Sequence, residues 1–427
     1  MSKFKVELFP TRLADFNRYT YGFIVILIFS VLSGSIRKWV INNSLINTLV
    51  TFLQIALPWL LMLYLFKNSI RSQRSIKLLF IYIFLLSFFA FNPLNFTIYH
   101  GISGIIIHSS FLILFTFYFN FKEKIDFNVT ISWVLILGLT ETFLGAIQTV
   151  SPPTSWINAY AGFGEDTNQA ATAFVGNAVR VTGTFSYLSG YTSFLLCYLF
   201  CNCYFLRKYP TSIWGFIGIF SGIYCALISG ARGAVAIYLL MLLFFIPFET
   251  KILKTPKIIF TFLGMLFFFY IINVGLQDPL NIGDRFTQST DNFMQRVDGS
   301  SEGASRIYSD PFDLFTRPFD YRITGIGLGS TYQGTVQLIG VSPLLKTVHY
   351  EGELFRLMIE GGVLLVLSRF LMLSYILSYM HFSLTLKIFL FLLIGLFVPL
   401  AFNIYNTVFV GIGMMILDQA YKKSSNA

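Results

Sequence analysis

Long apolar runs separated by short polar segments extend along most of this chain. Runs close to membrane-spanning length lie near 20–35, 46–66, 77–92, 98–120, 129–149, 184–205, 211–229, 233–249, 258–276 and 354–380. A final run over 386–420 is too long for one span, and we expect two helices around Asn403–Asn406. Because a helix needs about 20 apolar residues to cross a bilayer, residues 1–427 are predicted to form one all-α, polytopic membrane domain of about twelve transmembrane helices.

Basic residues in the short loops predict the orientation of these helices. With a cytoplasmic N-terminus, almost every basic cluster of a short loop falls on the cytoplasmic side, and the pair Arg37–Lys38 is the exception. This agreement follows the positive-inside bias and predicts that both termini are cytoplasmic. The first apolar run has no small-residue cleavage site, so we expect a retained anchor rather than a signal peptide.

Two long polar loops lie on the predicted extracytoplasmic side, over 150–183 and 277–353. The second loop is long enough to contain helices of its own. Loops longer than about 15 residues are uncommon unless they are functional. We therefore expect the function of the protein at this face.

Composition removes several other classes of function. The net charge of +10 is accounted for by loop lysines and arginines that set topology, so it does not indicate nucleic acid, and membrane lipids are the expected surroundings. The four cysteines lie in apolar segments without nearby His or Asp, which favours small buried hydrophobes over a metal site. No metal and no cofactor is predicted.

The predicted extracytoplasmic face carries mostly Arg, whereas the cytoplasmic face carries mostly Lys. Lys suffices to set topology, but the planar fork of Arg suits phosphate and carboxylate groups. The alternative is that these arginines pair with the Asp residues of the 277–353 loop and fold it. Both interpretations stay open at the level of sequence.

The stretch "KTVHYEGELFRLMIEGG" (346–362) collects ionisable groups just before an apolar run. Its charged positions are spaced by four, three and four residues, on one stripe of a helix: His349, Glu353, Arg356 and Glu360. Such a stripe should face protein or a water-filled cavity rather than lipid. The functional hypothesis makes His349 a proton acceptor. The alternative is local salt bridges from Arg356 to the two glutamates, with His349 solvated.

Three further polar positions stand out in apolar surroundings. Arg232 lies among small residues in "LISGARGAVA", where it either binds an anion or caps the preceding helix. Arg180 lies at the end of the smaller loop, in "NAVRVTGTFSY". Glu141 is intramembrane, which indicates either a functional site or a pair with an arginine. The glycines of "GIGLGS" (325–330) are predicted to form a close-packed turn rather than a nucleotide loop.

Five short segments together resemble the O-antigen polymerase and O-antigen ligase superfamily. They are "SGSIRKWV", "VRVTGTFSYLSGY", "ISGARGA", "GIGLGS" and "HYEGELFRLMIEGG", in the expected order between about residues 33 and 362. The resemblance implies membrane-embedded glycosyltransferases of the GT-C type, in the bacterial inner membrane. Such enzymes are metal-independent and use a polyprenyl-diphosphate-linked oligosaccharide donor.

The resemblance also implies roles for particular residues. His349 corresponds to the family's histidine, Glu353 would orient His349 or Arg356, and Arg232 corresponds to the family's arginine in the small-residue turn. We expect Arg180, and Arg296 or Arg306, as further diphosphate ligands, and add Arg356 from the ionisable stripe.

The expected reaction is polymerisation of repeat units into a cell-surface polysaccharide, by inverting glycosyl transfer at the extracytoplasmic face. The expected partners are the lipid-linked donor, a glycan or lipid acceptor, a chain-length regulator and a flippase. A ligase that transfers the glycan to a lipid core or a protein uses the same chemistry and stays open. A secondary transporter is the alternative from another class, and the lack of an internal repeat speaks against it.

Overall fold

The structure is a computed structural model, and it describes residues 17–40, 44–67, 73–160, 174–175, 178–250, 319–346, 348, 350 and 352–422. Within these residues the chain is all-α apart from one short antiparallel ladder, in which Phe174 lies opposite Val179. The chain divides into two compact units. Unit 1 comprises Met1–Thr51, Ile125–Ser301 and Ile412–Ala427, and unit 2 comprises Phe52–Lys124 and Glu302–Gly411.

The described elements follow one another as a series of helices. They are α1 (Arg18–Ser35), a π-helix (Ile36–Val40), α2 (Ser44–Lys67), α3 (Gln73–Ala90), α4 (Ile98–Phe121), α5 (Phe127–Val150), a 3-10 helix (Trp156–Asn158), β1 (Phe174–Val175), β2 (Ala178–Val179), α6 (Leu188–Lys208), α7 (Ile213–Ile228), α8 (Arg232–Glu249), α9 (Gln333–Ile339), a 3-10 helix (Pro343–Leu345), α10 (Glu353–Tyr379), α11 (Leu384–Phe397) and α12 (Ile404–Gln419).

Polar side chains start several of these helices at the points where the apolar runs begin. Asn17, Thr97, Asp126 and Ser383 each accept a hydrogen bond from a backbone N–H of the first turn. Such N-caps satisfy donors that have no partner within the helix. Short polar residues in the sequence therefore mark the points where these helices begin.

The observed helices follow the predicted spans closely. Four described helical segments are long and apolar enough to cross a membrane: Arg18–Val40, Ile98–Phe121, Phe127–Val150 and Glu353–Tyr379. Further apolar helices are shorter, and the predicted ninth span, 258–276, lies outside the described residues. The break in the final run falls between α11 and α12, at 398–403, slightly before the predicted position. The total of about twelve spans stays a prediction.

In unit 1, helix α6 is buried along almost its whole length and packs against α5, α7 and α8. Glycines allow the close approach: a Cβ on Gly138 would meet the ring of Tyr198, and one on Gly222 would meet Tyr238. Two cysteines of α6 show the type of side chain that fills this core, since Cys197 and Cys201 are buried free thiols. This agrees with the small buried hydrophobes predicted for the cysteines.

In unit 2, helix α4 packs against α3, and α10 packs against both and against α11. Helix α10 is broken at Gly362, whose φ of 64° and ψ of −162° suit glycine alone. The break leaves carbonyls of the preceding turn without intrahelical partners. The segment 322–331 supplies N–H groups to them: Ile326 donates to Ile359 O at 2.8 Å and Gly327 to Glu360 O at 3.0 Å. The "GIGLGS" turn is thereby fixed against α10.

Candidate functional site

The first turn of α10 directs a buried carboxylate away from its neighbours on the stripe. Glu353 accepts hydrogen bonds from the backbone N–H groups of Ala401 at 3.0 Å and Phe402 at 3.4 Å. The Nε of Arg369, a buried residue two-thirds of the way along α10, lies 3.7 Å from the same carboxylate. Glu353 therefore fixes the segment between α11 and α12. Its described contacts do not include Arg356.

Two turns further on, Glu360 is fully buried and has a complete set of partners. His108 Nε2 on α4 lies 2.9 Å from Glu360 Oε2. The other oxygen, Oε1, accepts from the backbone N–H of Thr331 at 2.9 Å and from its hydroxyl at 2.7 Å. One carboxylate thus joins α10, α4 and the segment that follows the "GIGLGS" turn. A buried charge with this number of partners is held in one place.

Arg356 lies between these two carboxylates in sequence but pairs with neither of them. Among the described residues its hydrogen bond is one from Nη1 to Thr331 O at 3.5 Å, and its Nε is buried without an acceptor. The rings of Tyr350 and Phe402 each lie 5.4 Å from its guanidinium carbon. The local salt bridges considered from the sequence are therefore not what the structure has. We call Arg356, Thr331, Tyr350 and Phe402 the Arg356 site.

The Arg356 site suits an anion with two or more oxygens. A guanidinium has five N–H donors in a planar fork, and most of those of Arg356 have no acceptor in the described part of the chain. Two aromatic rings lie close to the guanidinium, and a charge-assisted hydrogen bond is stronger where the surroundings are less polar than water. Burial raises the pKa of Tyr350, with Arg356 opposing the shift, so the phenol is neutral and can donate.

Unit 1 contains a second buried polar group, built around the segment that follows Arg180. Glu141 accepts from the backbone N–H of Thr184 at 3.0 Å and from the Thr184 hydroxyl. Lys38 donates to Thr182 Oγ1 and to Gly183 O, both at 2.9 Å. We call Glu141, Lys38, Thr182, Gly183 and Thr184 the Glu141 cluster. The partners that the structure gives to Glu141 are thus threonine groups rather than an arginine.

The remaining predicted site residues are described unequally. Arg180 is half-buried, and its carbonyl accepts from the hydroxyl of Tyr160 at 3.1 Å. Arg232 is the first residue of α8, and its backbone alone is described. His349, Arg296 and Arg306 lie outside the described residues. Their functional roles stay predictions.

Segments that carry the family resemblance meet one another inside each unit. In unit 1, a Cβ on Gly34 of "SGSIRKWV" would collide with the backbone of Thr184–Ser186 in "VRVTGTFSYLSGY". In the same unit the N–H of Val181 donates at 3.4 Å to the carbonyl of Ile228, the first residue of "ISGARGA". In unit 2, "GIGLGS" packs on "HYEGELFRLMIEGG" through the break at Gly362. The resemblance therefore falls on residues that pack together.

Sequence reasoning missed His108, Thr331, Lys38 and Arg369 as members of these groups. A signal existed for two of them, because an ionisable residue within an apolar run is a functional hypothesis by default, and His108 and Arg369 both qualify. Lys38 was treated as a loop charge. No local signal marks Thr331, which acquires its partner through a turn 29 residues before Glu360 in the sequence.

Comparison of the chain with protein-family models, with curated proteins and with solved structures gave no match. Within the part of the chain that the structure describes, no group of three or more His, Cys, Asp or Glu side chains could hold a metal ion. The fold and the site define an all-α chain with apolar helices of membrane-spanning length and a half-buried arginine whose Nε has no acceptor among the described residues.

Proposed function

We propose that this chain is a bacterial inner-membrane glycosyltransferase of the GT-C type that polymerises polyprenyl-diphosphate-linked oligosaccharides at the extracytoplasmic face. The observation that carries the proposal is the Arg356 site, where a guanidinium close to two aromatic rings keeps a buried donor without an acceptor among the described residues. A diphosphate offers the oxygens that such a fork binds. The five segments of family resemblance supply the class of donor.

In the proposed reaction, a hydroxyl oxygen of the acceptor glycan attacks the anomeric carbon of the donor. The new glycosidic bond forms as the bond from that carbon to the phosphate oxygen breaks, and the anomeric configuration inverts. The diphosphate leaves with the bonding electrons. Arg356 stabilises the charge that develops on it, so no acid is needed. His349 accepts the proton of the attacking hydroxyl and releases it to water.

The contributions of Arg180, Arg232, Arg296 and Arg306 to diphosphate binding rest on the sequence. Glu353 holds the backbone of Phe402, and through it one ring of the Arg356 site. Its proposed contribution is therefore to positioning, as the resemblance also implied, and it acts through the backbone of Phe402. The cytoplasmic position of both termini and the total of about twelve spans belong to the same proposal.

The test is glycan transfer in proteoliposomes with purified full-length protein, a polyprenyl-diphosphate oligosaccharide and EDTA. We expect a ladder of products from the wild type, and a loss of at least about a hundredfold in rate for His349→Ala, Arg232→Ala and Arg356→Ala. Lys346→Ala is the matched control, because Lys346 is an exposed cation of the same loop and should leave the rate unchanged.

Four outcomes separate the alternatives. A ladder supports polymerisation, whereas a single transfer to an added lipid core supports the ligase. Transfer that persists in the three variants would sink the assignment of the site. Transfer that EDTA abolishes would contradict the metal-independent mechanism.

A further inference from the structure

Arg356 and Glu360 are four residues apart on α10 but do not pair with each other. Residues four apart on a helix are neighbours, and a basic and an acidic residue at this spacing commonly pair. Here, the Glu360 carboxylate instead binds His108 on α4 and Thr331 in the neighbouring turn. The carboxylate closest to Arg356 along the helix is thus held by partners on other elements.

This arrangement determines whether Arg356 is open to a ligand. If Glu360 paired with Arg356, its two oxygens would occupy the guanidinium fork and neutralise its charge. An external anion would then have to displace a carboxylate that is already in the protein. Holding Glu360 elsewhere leaves the donors of Arg356 to the ligand.

We propose that His108 is a positioning residue that holds Glu360 away from Arg356 and thereby keeps Arg356 available to a diphosphate group. The inference rests on the proposed function, since that is the source of the diphosphate. His108 holds one oxygen of Glu360, and Thr331 holds the other. Without the donor at His108 Nε2, Glu360 Oε2 would lose its partner. Arg356, one turn away on the same helix face, would then be the strongest partner for this oxygen.

The contacts of His108 dictate which substitutions can test this. Its ring also meets the ring of Phe402 edge to face, with centroids 5.5 Å apart. His108→Phe keeps an aromatic ring at this position and removes the donor. His108→Gln keeps an N–H donor of similar reach. Glu360→Gln keeps one oxygen that can accept from Thr331 but carries no charge that could neutralise Arg356.

The experiment measures the affinity of the purified full-length protein in detergent for inorganic diphosphate, by calorimetric titration. Relative to wild type, we expect His108→Phe to bind at least about tenfold more weakly, and His108→Gln and Glu360→Gln to bind within about threefold. The decisive variant is His108→Phe/Glu360→Gln. We expect it to recover most of the affinity that His108→Phe loses, because the competing charge is gone.

A purely structural role for His108 predicts the opposite, namely that the double variant binds as weakly as His108→Phe or more weakly. That result would overturn the inference, as would wild-type affinity in His108→Phe. Should His108→Phe fail to fold, weakened binding by Glu360→Gln alone would also overturn it, because the proposal gives the charge of Glu360 no part in binding. If wild type does not bind diphosphate, or Arg356→Ala binds as wild type does, the proposed function fails as well. If diphosphate binding depends on Arg356 but His108→Phe does not change it, only the inference about His108 fails.

Discussion

In the Glu141 cluster of unit 1 and beside the Arg356 site of unit 2, a buried glutamate fixes a threonine in the same way. The cations of the two regions are used differently. In each, a buried glutamate accepts both the backbone N–H and the hydroxyl of one threonine, Thr184 or Thr331. Thr184 directly follows Gly183 and Thr331 lies two residues after Gly329, and both glycines have positive φ. In each region a cation also donates to a nearby carbonyl. The glutamate fixes a turn against a helix in both cases.

The difference lies in what remains for the cation to do. Lys38 makes two hydrogen bonds of 2.9 Å within its own cluster. Arg356 makes one bond of 3.5 Å in the described part of the chain and keeps a buried Nε without an acceptor. We conclude that the cation of unit 1 serves the fold, whereas the cation of unit 2 is kept for a ligand.

The largest expected effect on stability comes from removing the buried glutamate of either region. Glu141→Ala and Glu360→Ala each leave a buried threonine N–H without its acceptor and remove one acceptor of the threonine hydroxyl, although the Thr184 hydroxyl keeps Val31 O. We expect each to lower the free energy of unfolding by about 3 kcal/mol or more. SDS-induced unfolding in mixed micelles measures this. Thr140→Ala is the control, since Thr140 is exposed on α5 and should change stability by less than about 0.5 kcal/mol. An unchanged free energy of unfolding after either substitution would show that the two glutamates do not have the same structural role.

The glycines of the two turns should be nearly as sensitive. Gly183→Ala and Gly329→Ala place a Cβ at a positive φ against Glu141 Oε2 and against the carbonyl of His100, respectively. We expect a loss of about 2 kcal/mol for each, larger at Gly329 because a backbone carbonyl gives way less easily than a side chain. Gly233→Ala is the control, because nothing lies within 4 Å of its Cβ position. Equal stability of Gly329→Ala and the control would show that the turn is not fixed.

The two cations should differ in their effect on stability. Lys38→Met removes two good hydrogen bonds and should cost about 2 kcal/mol, whereas Arg356→Met removes one long bond and should cost less than about 1 kcal/mol. The same unfolding titration gives both values. A greater loss at Arg356 than at Lys38 would mean that Arg356 is the structural cation.

A small, pH-dependent effect is expected at the edge of the Glu141 cluster. Burial raises the pKa of Tyr160 to about 12, with the charge of Arg180 opposing the shift, while an unfolded tyrosine titrates near 10. Between these values the folded protein holds the proton more tightly, so its stability should fall as pH rises from about 10. Tyr160→Phe should cost about 1 kcal/mol at neutral pH and show a smaller alkaline loss. An unchanged alkaline loss would place the titration elsewhere.

Helix positions were predictable because their signal is local. The apolar runs and the N-caps at Thr97 and Asp126 mark boundaries that need no distant partner. The break of α10 at Gly362 was not predicted, because it depends on carbonyls of 322–323 that approach from another part of the chain. Glycine pairs in an apolar run do not reveal by themselves which of them adopts a positive φ.

The candidate site was predictable in its residue types but not in its pairs. The sequence identified Glu353, Arg356 and Glu360 as one polar stripe, and the structure places all three in α10. Their partners Arg369, Thr331 and His108 lie too far along the chain for any spacing rule to connect them. Helical spacing alone favoured salt bridges to Arg356, and tertiary contacts overrode that preference.

Arg356 is kept for an anion, whereas Lys38 is used by the fold. Calorimetric titration of inorganic diphosphate into wild type, Arg356→Met and Lys38→Met tests it most directly. We predict an affinity at least about tenfold weaker for Arg356→Met and within about threefold of wild type for Lys38→Met. Equal affinities of wild type and Arg356→Met, or a loss confined to Lys38→Met, would contradict the account.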